Sequence, residues 1–411
     1  MSNFFHILCY IFCVFYITLR SEYLVIERVY KMKIEKSNNP FLVAGYSSPD
    51  QFCDREKETE KIISALRNDR NISLISPRRF GKTGLIHHVF YNLKDEEKGV
   101  FCFYFDVFST QNLHEFVQIF GKAVLGKLDN YSQKTFKRIS EFFKSFRPKI
   151  SLDSLTGAPE ISFDIKPEEA QTGLQEIFNY LKNSEKRCYI AIDEFQQITE
   201  YPEKGVEGLL RSYVQFAENI KFIFSGSKKH LMDAMFSSVN RPFYQSTQKI
   251  NLREIPMETY NVFAQNHFTQ SGKTLPAPLF ETIYNLVNGH TWYIQLILNQ
   301  LYSLPQKIYS ETDLNKIIEE VLEEENATYK TYCELLTKGQ LRVLTAIAKE
   351  RKVATLTQTD FLKKYNLTAA SSVQLAIKSL IDKSLILKDE AGNHSVYDRF
   401  FSLWLERTVI S

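Results

Sequence analysis

The sequence predicts an α/β fold, a doubly wound parallel sheet followed by a helical lid and a C-terminal winged helix-turn-helix. Three observations carry this. Short apolar runs at 72–75, 100–108, 188–195 and 221–227 alternate with segments of helical spacing, as strands buried on both faces of a parallel sheet require. A Gly-Lys-Thr loop joins the first run to a helix-like one. Beyond residue 256 the strands stop, and the chain ends in three short helical segments and a hairpin turn. At 411 residues there is room for two or three domains of ~100–200 residues each.

The elements follow in order. Ile72, Leu74 and Ile75 form the first strand, and Leu85, Ile86, Val89 and Phe90 mark the helix after the loop. Residues 100–108 make a second strand with Asp106 near its end. Residues 112–148 then show helical spacing through Leu113, Phe116, Val117, Phe120, Val124 and Leu128. Gly157 and Pro159, followed by alternating Ile161, Phe163 and Ile165, predict a small hairpin or irregular insert over 151–167. A helix at 171–183, a strand at 188–195, a helix at 206–218 and strands at 221–227 and 248–255 complete the sheet. Lid helices are expected at 256–271, 278–288, 291–303 and 311–325. The winged unit then comprises helices near 338–350, 357–365 and 370–383 and a turn at 390–393. The expected divisions are 1–38, an N-terminal apolar extension; 39–255, the sheet core; 256–334, the lid; and 335–411, the winged helix.

Ser76-Pro-Arg-Arg-Phe-Gly-Lys-Thr83 has the spacing of a phosphate-binding loop, with Ser76 where the pattern has Gly. A tight loop feeding a helix N-terminus aims backbone N–H groups and the positive dipole end at a polyphosphate. The candidate binding residues are therefore Ser76, Pro77, Arg78, Arg79, Phe80, Gly81, Lys82, Thr83 and Gly84. Lys82 supplies a cation for the β and γ phosphates, and the Thr83 hydroxyl is placed for Mg2+. Cys188-Tyr-Ile-Ala-Ile-Asp-Glu-Phe195 is a buried strand ending in two carboxylates. Asp193 is the expected metal residue, and Glu194 the group that polarises the attacking water. Ser225 or Ser227, at the tip of the strand 221–227, is a candidate γ-phosphate sensor, and Ser227 is carried forward as the catalytic one. The guanidinium groups of Arg78 and Arg79 are read either as phosphate contacts or as partners of an acidic group that holds the loop shut.

Composition adds little to this. A hydrophobic share of 44%, a charged share of 24% and a net charge of +3 describe an ordinary folded chain with no basic field that demands nucleic acid or membrane. The six cysteines show no zinc-like spacing and read as reduced, mostly buried thiols of a cytoplasmic protein. Residues 3–19 form an apolar run near the lower limit of a membrane span. They read as an upstream extension ahead of a start at Met32, with a membrane anchor as the alternative.

Together these segments resemble the archaeal-type P-loop ATPases, an AAA-like branch close to the STAND regulatory ATPases and common in Bacteroides-like bacteria. The likeness covers roughly residues 39–407 and rests on Phe52-Cys-Asp-Arg-Glu56, the loop, the acidic strand, Arg241-Pro-Phe-Tyr244, Gly289-His-Thr-Trp-Tyr293 and Tyr397-Asp-Arg-Phe-Phe-Ser-Leu-Trp404. Thr291 and Arg399 stand where the family commonly has Pro. The resemblance implies ATP as the nucleotide, with Mg2+, and puts Arg55 near the base and ribose. It makes His290 either a nucleotide contact or a core imidazole, and Arg241 a candidate arginine finger. The expected function is a slow ATPase acting as a nucleotide-controlled switch, working with a protein partner or by self-association. The alternative is an ATP-regulated DNA-binding protein, since residues from 335 onward carry twelve Lys/Arg against seven Asp/Glu.

Overall fold

The computed structural model describes residues 39–126, 143–152, 159–184, 186–367, 369–389 and 391–408. The apolar run 3–19 and Met32 lie outside them, as does Leu128 of the expected helix 112–148. The chain from Leu42 onward forms one compact unit.

Five parallel strands form the central sheet: β1 (Ile72–Ile75), β2 (Phe101–Asp106), β5 (Cys188–Asp193), β6 (Ile220–Gly226) and β7 (Gln248–Asn251), in the order β2-β5-β6-β1-β7. Every residue of β5 and β6 is buried, which explains their largely apolar sequence. Helices α1 (Glu56–Arg67) and α2 (Lys82–Glu96) cover one face through Ile62, Leu66, Leu85, Val89 and Leu93. The other face is covered by α3 (Leu113–Leu125), α4 (Ala170–Lys182) and α5 (Val206–Gln215) through Phe116, Phe120, Leu174, Phe178 and Leu210. The insert is an antiparallel hairpin of β3 (Arg147–Leu152) and β4 (Pro159–Asp164), beginning inside the segment expected to be helical. Because β6 lies between β1 and β5, the loop after β1 and the acidic end of β5 open onto the same carboxyl edge, where doubly wound sheets place ligands.

A short helix with no counterpart in the sequence reading, α6 (Lys229–Ser237), precedes β7 and buries Met232, Met235 and Phe236. The lid comprises α7 (Met257–Gln270), α8 (Ala277–Leu286), α9 (Thr291–Ser303) and α10 (Glu311–Glu324), then α11 (Asn326–Glu334), which was not expected. The winged helix consists of α12 (Lys338–Glu350), α13 (Thr359–Lys364), α14 (Ala370–Asp382) and the two-stranded wing β8 (Ile386–Lys388) and β9 (His394–Val396). Its start is written locally: Thr337 and Gln340 exchange side-chain and backbone bonds in a capping box. A closing helix, α15 (Arg399–Thr408), carries Phe400, Phe401, Leu403, Trp404 and Leu405 into the interior. Among the described residues no helix is long and apolar enough to cross a membrane.

Candidate active site

The loop and the acidic strand meet in one cleft of ≈ 420 Å³ that includes Phe80, Lys82, Thr83, Asp106, Asp193 and Glu194 in its lining. Thr83 Oγ1 donates to Asp193 Oδ2 at 2.8 Å, across 110 residues of sequence. Tyr104 Oη donates to the same oxygen at 2.9 Å, from the neighbouring strand. Sequence reasoning did not find Tyr104. Its only signal was its place two residues before Asp106, on the same side of a strand. Asp106 is in register with Asp193, and its Oδ1 accepts the Phe108 N–H at 2.7 Å. Burial raises the Asp106 carboxyl above the usual range, with Asp193 and Glu194 adding to the effect.

Gly81, at φ +90°, and Arg79, at φ +66°, bend the loop through conformations that favour glycine. Arg78, Arg79, Phe80, Gly81, Lys82, Thr83 and Gly84 all line the cleft. Ser76 and Pro77 do not; their carbonyls instead receive Lys82 Nζ at 3.0 and 3.1 Å. Burial lowers the Lys82 ammonium below the ordinary lysine value, opposed by Glu194 and Asp193. A hydroxyl, a carboxylate and open space beside them suit Mg2+, which takes oxygen ligands and keeps several waters.

Glu194 follows the strand at φ +53°, and this turn separates its side chain from that of Asp193. Its Oε2 accepts both Ser227 Oγ and Gln196 Nε2, each at 2.6 Å. Ser227 thus reaches the cleft through Glu194, whereas Ser225 is fully buried with its hydroxyl unpartnered among the described residues.

The arginines behave differently from one another. Arg78 lies over the Phe108 ring at 4.6 Å. Arg79 stacks on Trp292 at 4.1 Å, approaches Asp398 Oδ2 at 3.8 Å and accepts the Trp292 N–H on its carbonyl at 3.2 Å. The acidic partner that closes the loop is therefore in the winged-helix segment, over three hundred residues away. Arg55 also lines the cleft, but its guanidinium is taken up by Glu58 at 3.2 Å and the Arg253 carbonyl at 2.6 Å. Arg241 pairs with Glu207 within the chain and does not line the cleft. His290 packs against Phe80 and Tyr293, and burial lowers it to about 3, with Arg79 beside it. It is a neutral core imidazole that also bonds the Arg78 backbone. Arg399 bridges the winged helix to the lid, its Nε donating to the Leu286 carbonyl at 2.7 Å.

Comparison with known proteins gives the family and the fold. An uncharacterised ATP-binding protein of Methanocaldococcus jannaschii is 25% identical over 270 residues, covering 61% of this chain and 70% of that protein. The Walker-type ATPase of Pyrococcus abyssi superposes with TM-score 0.60 at 16% identity, over 89% of this chain and 99% of that one. The ORC2 protein of Aeropyrum pernix, solved as ADPNP-ADP complexes, superposes with TM-score 0.57 at 15% identity, over 89% and 96%. These two structures establish likeness of fold. Residues 327–407 match a probable winged helix domain. Residues 52–297, more than half of the chain, match the ATPase domain predominantly from Archaea, and the protein belongs to that family.

Proposed function

We propose that the chain binds ATP with Mg2+ in this cleft, hydrolyses it slowly in the cytoplasm, and uses the nucleotide to control how the lid and winged helix are held. The observation that carries the reading is the bond from Thr83 to Asp193, which brings the phosphate loop and the acidic strand to one point beside Glu194. The loop N–H groups and the N-terminus of α2 receive the phosphates, and Lys82 turns from the Ser76 and Pro77 carbonyls to the β and γ oxygens. Mg2+, when bound, offsets the phosphate charge, with Thr83 and Asp193 as its protein partners. Glu194 accepts a proton from water as that water's oxygen bonds to the γ phosphorus and the bond to ADP breaks.

The switching part rests on Arg79, a loop residue that touches both Trp292 of the lid and Asp398 of the winged helix. A γ phosphate arriving at the loop competes with Asp398 for this cation. That is the role implied by the resemblance to STAND regulatory ATPases, whose partner would be another protein or a second copy. Lys82→Ala should abolish nucleotide binding, whereas Glu194→Gln should bind ATP and cease turnover. Normal hydrolysis by Glu194→Gln defeats the assignment.

A second reading, a DNA-binding regulator with the ATPase as timer, is favoured by the face of α14 that exposes Ser371, Ser372, Gln374 and Lys378 next to Lys388 of the wing. Several other cations of the unit are already paired, Lys352 with Asp389 and Lys364 with Glu350. Duplex binding that weakens steeply with salt would support it.

A further inference from the structure

We infer that Gln196 is a positioning residue for Glu194: together with Ser227 it holds one carboxylate oxygen so that the other faces the water that attacks the nucleotide. This deepens the proposed hydrolysis and rests on it.

Gln196 is 1% exposed and sits in the 3-10 turn Phe195–Glu200 that leaves the acidic strand. Its orientation is unambiguous, because only the N–H end of the amide can face a carboxylate oxygen. Nε2 and Ser227 Oγ both donate to Oε2 of Glu194, which occupies that oxygen and leaves Oε1 for the cleft. The turn itself is pinned. Thr199 Oγ1 donates to the Gln196 carbonyl at 2.8 Å, and Gln197 Nε2 to the Thr110 carbonyl at 3.1 Å.

Two features argue that this glutamine is not a core filler. Its Oε1 is buried with no hydrogen-bond partner among the described residues, a desolvation cost that a methionine of similar length would avoid. In addition, the neighbouring strand makes room for that oxygen. A Cβ on Gly226 would stand 2.3 Å from Gln196 Oε1 and 2.5 Å from Met232 Sδ, so the amide fits only because residue 226 has no side chain. A purely stabilising core has no use for the unpartnered oxygen or the gap, whereas an amide that turns Nε2 to the carboxylate leaves its oxygen there and needs the space at Gly226.

The test measures steady-state ATP hydrolysis and, separately, ATP affinity with a fluorescent analogue, on the full chain. Gln196→Met keeps the shape and removes the donor. We expect kcat to fall about 10- to 100-fold, the effect of losing a hydrogen bond to a charged group, with affinity unchanged within twofold. Gly226→Ala displaces the amide but also presses on Met232 Sδ, so Gln196→Leu, which likewise lacks the donor, is the second variant and should lower kcat in the same way. Unchanged kcat in a folded Gln196→Met or Gln196→Leu, or a loss of affinity equal to the loss of kcat, overturns the inference. Absent turnover in the wild type, or normal turnover in Glu194→Gln, overturns the hydrolysis reading instead.

Discussion

Replacing Arg79 by Ala should loosen the lid and the winged helix, taken together, from the phosphate loop by an amount the structure bounds. The stacking on Trp292 at 4.1 Å is worth ~0.5–1 kcal/mol at a partly exposed site. The pair with Asp398 at 3.8 Å, its side chains 46% and 30% exposed, adds ~0.2–1 kcal/mol after solvent screening. The sum, ~1–2 kcal/mol, is a 5- to 30-fold shift in the docking equilibrium. Part of the contact survives, since the Trp292 N–H bonds the backbone of residue 79 whatever its side chain. Asp398→Asn separates the terms. Asp398 Oδ1 also accepts the Phe400 and Phe401 N–H groups at the start of α15, a cap that Asn preserves, so only the ion pair is lost and the shift should stay below about fivefold. Amide hydrogen exchange over residues 396–408, with ADP and with a slowly hydrolysed ATP analogue, reads the docking directly. In the wild type, protection should be lower with the ATP analogue; in Arg79→Ala it should be low with both. Equal protection in wild type and Arg79→Ala under each nucleotide refutes the argument that this side chain couples the loop to the C-terminal unit.

Two other perturbations follow. His290 is held neutral, with its pKa lowered to about 3 against an ordinary value near 6.5, so the folded state binds fewer protons than the unfolded chain between those values. Its contribution to stability is complete above pH 6.5 and is lost as pH falls, about 2 kcal/mol by pH 5, and urea unfolding at pH 7.5 and 5 should show a drop that His290→Phe reduces. Tyr104→Phe removes one of two donors on Asp193 Oδ2 and should weaken the Mg2+ dependence of nucleotide binding about tenfold, measured by Mg2+ titration at fixed nucleotide. An unchanged titration would make Tyr104 a packing residue.

Much of the site was legible because it is contiguous. A loop of eight residues between a strand and a helix dictates its own backbone path, and Asp193-Glu194 ends a strand whose burial is written in every residue. The winged helix was legible for a similar reason: its helices have regular spacing. The missed helices α6, α11 and α15 are each ten residues or shorter, so their periodicity is weak, although α13, shorter still, was expected. Asp106 had no identifiable partner in the sequence because its neighbours come from strand register, not from spacing.

By itself, then, the order of residues determined the doubly wound sheet, the lid and the winged helix and put forward Lys82, Thr83, Asp193 and Glu194 as candidates, since each is a local pattern of polarity and backbone preference. Only the folded chain decided that Tyr104 supports Asp193, that Gln196 and Ser227 share one oxygen of Glu194, and that Arg79 faces Trp292 and Asp398. Most of these contacts join positions tens to hundreds of residues apart. Even the close pair Glu194 and Gln196 depends on a left-handed turn and on the empty space at Gly226, so their geometry comes from the stacking of strands and helices, which no short stretch of sequence specifies.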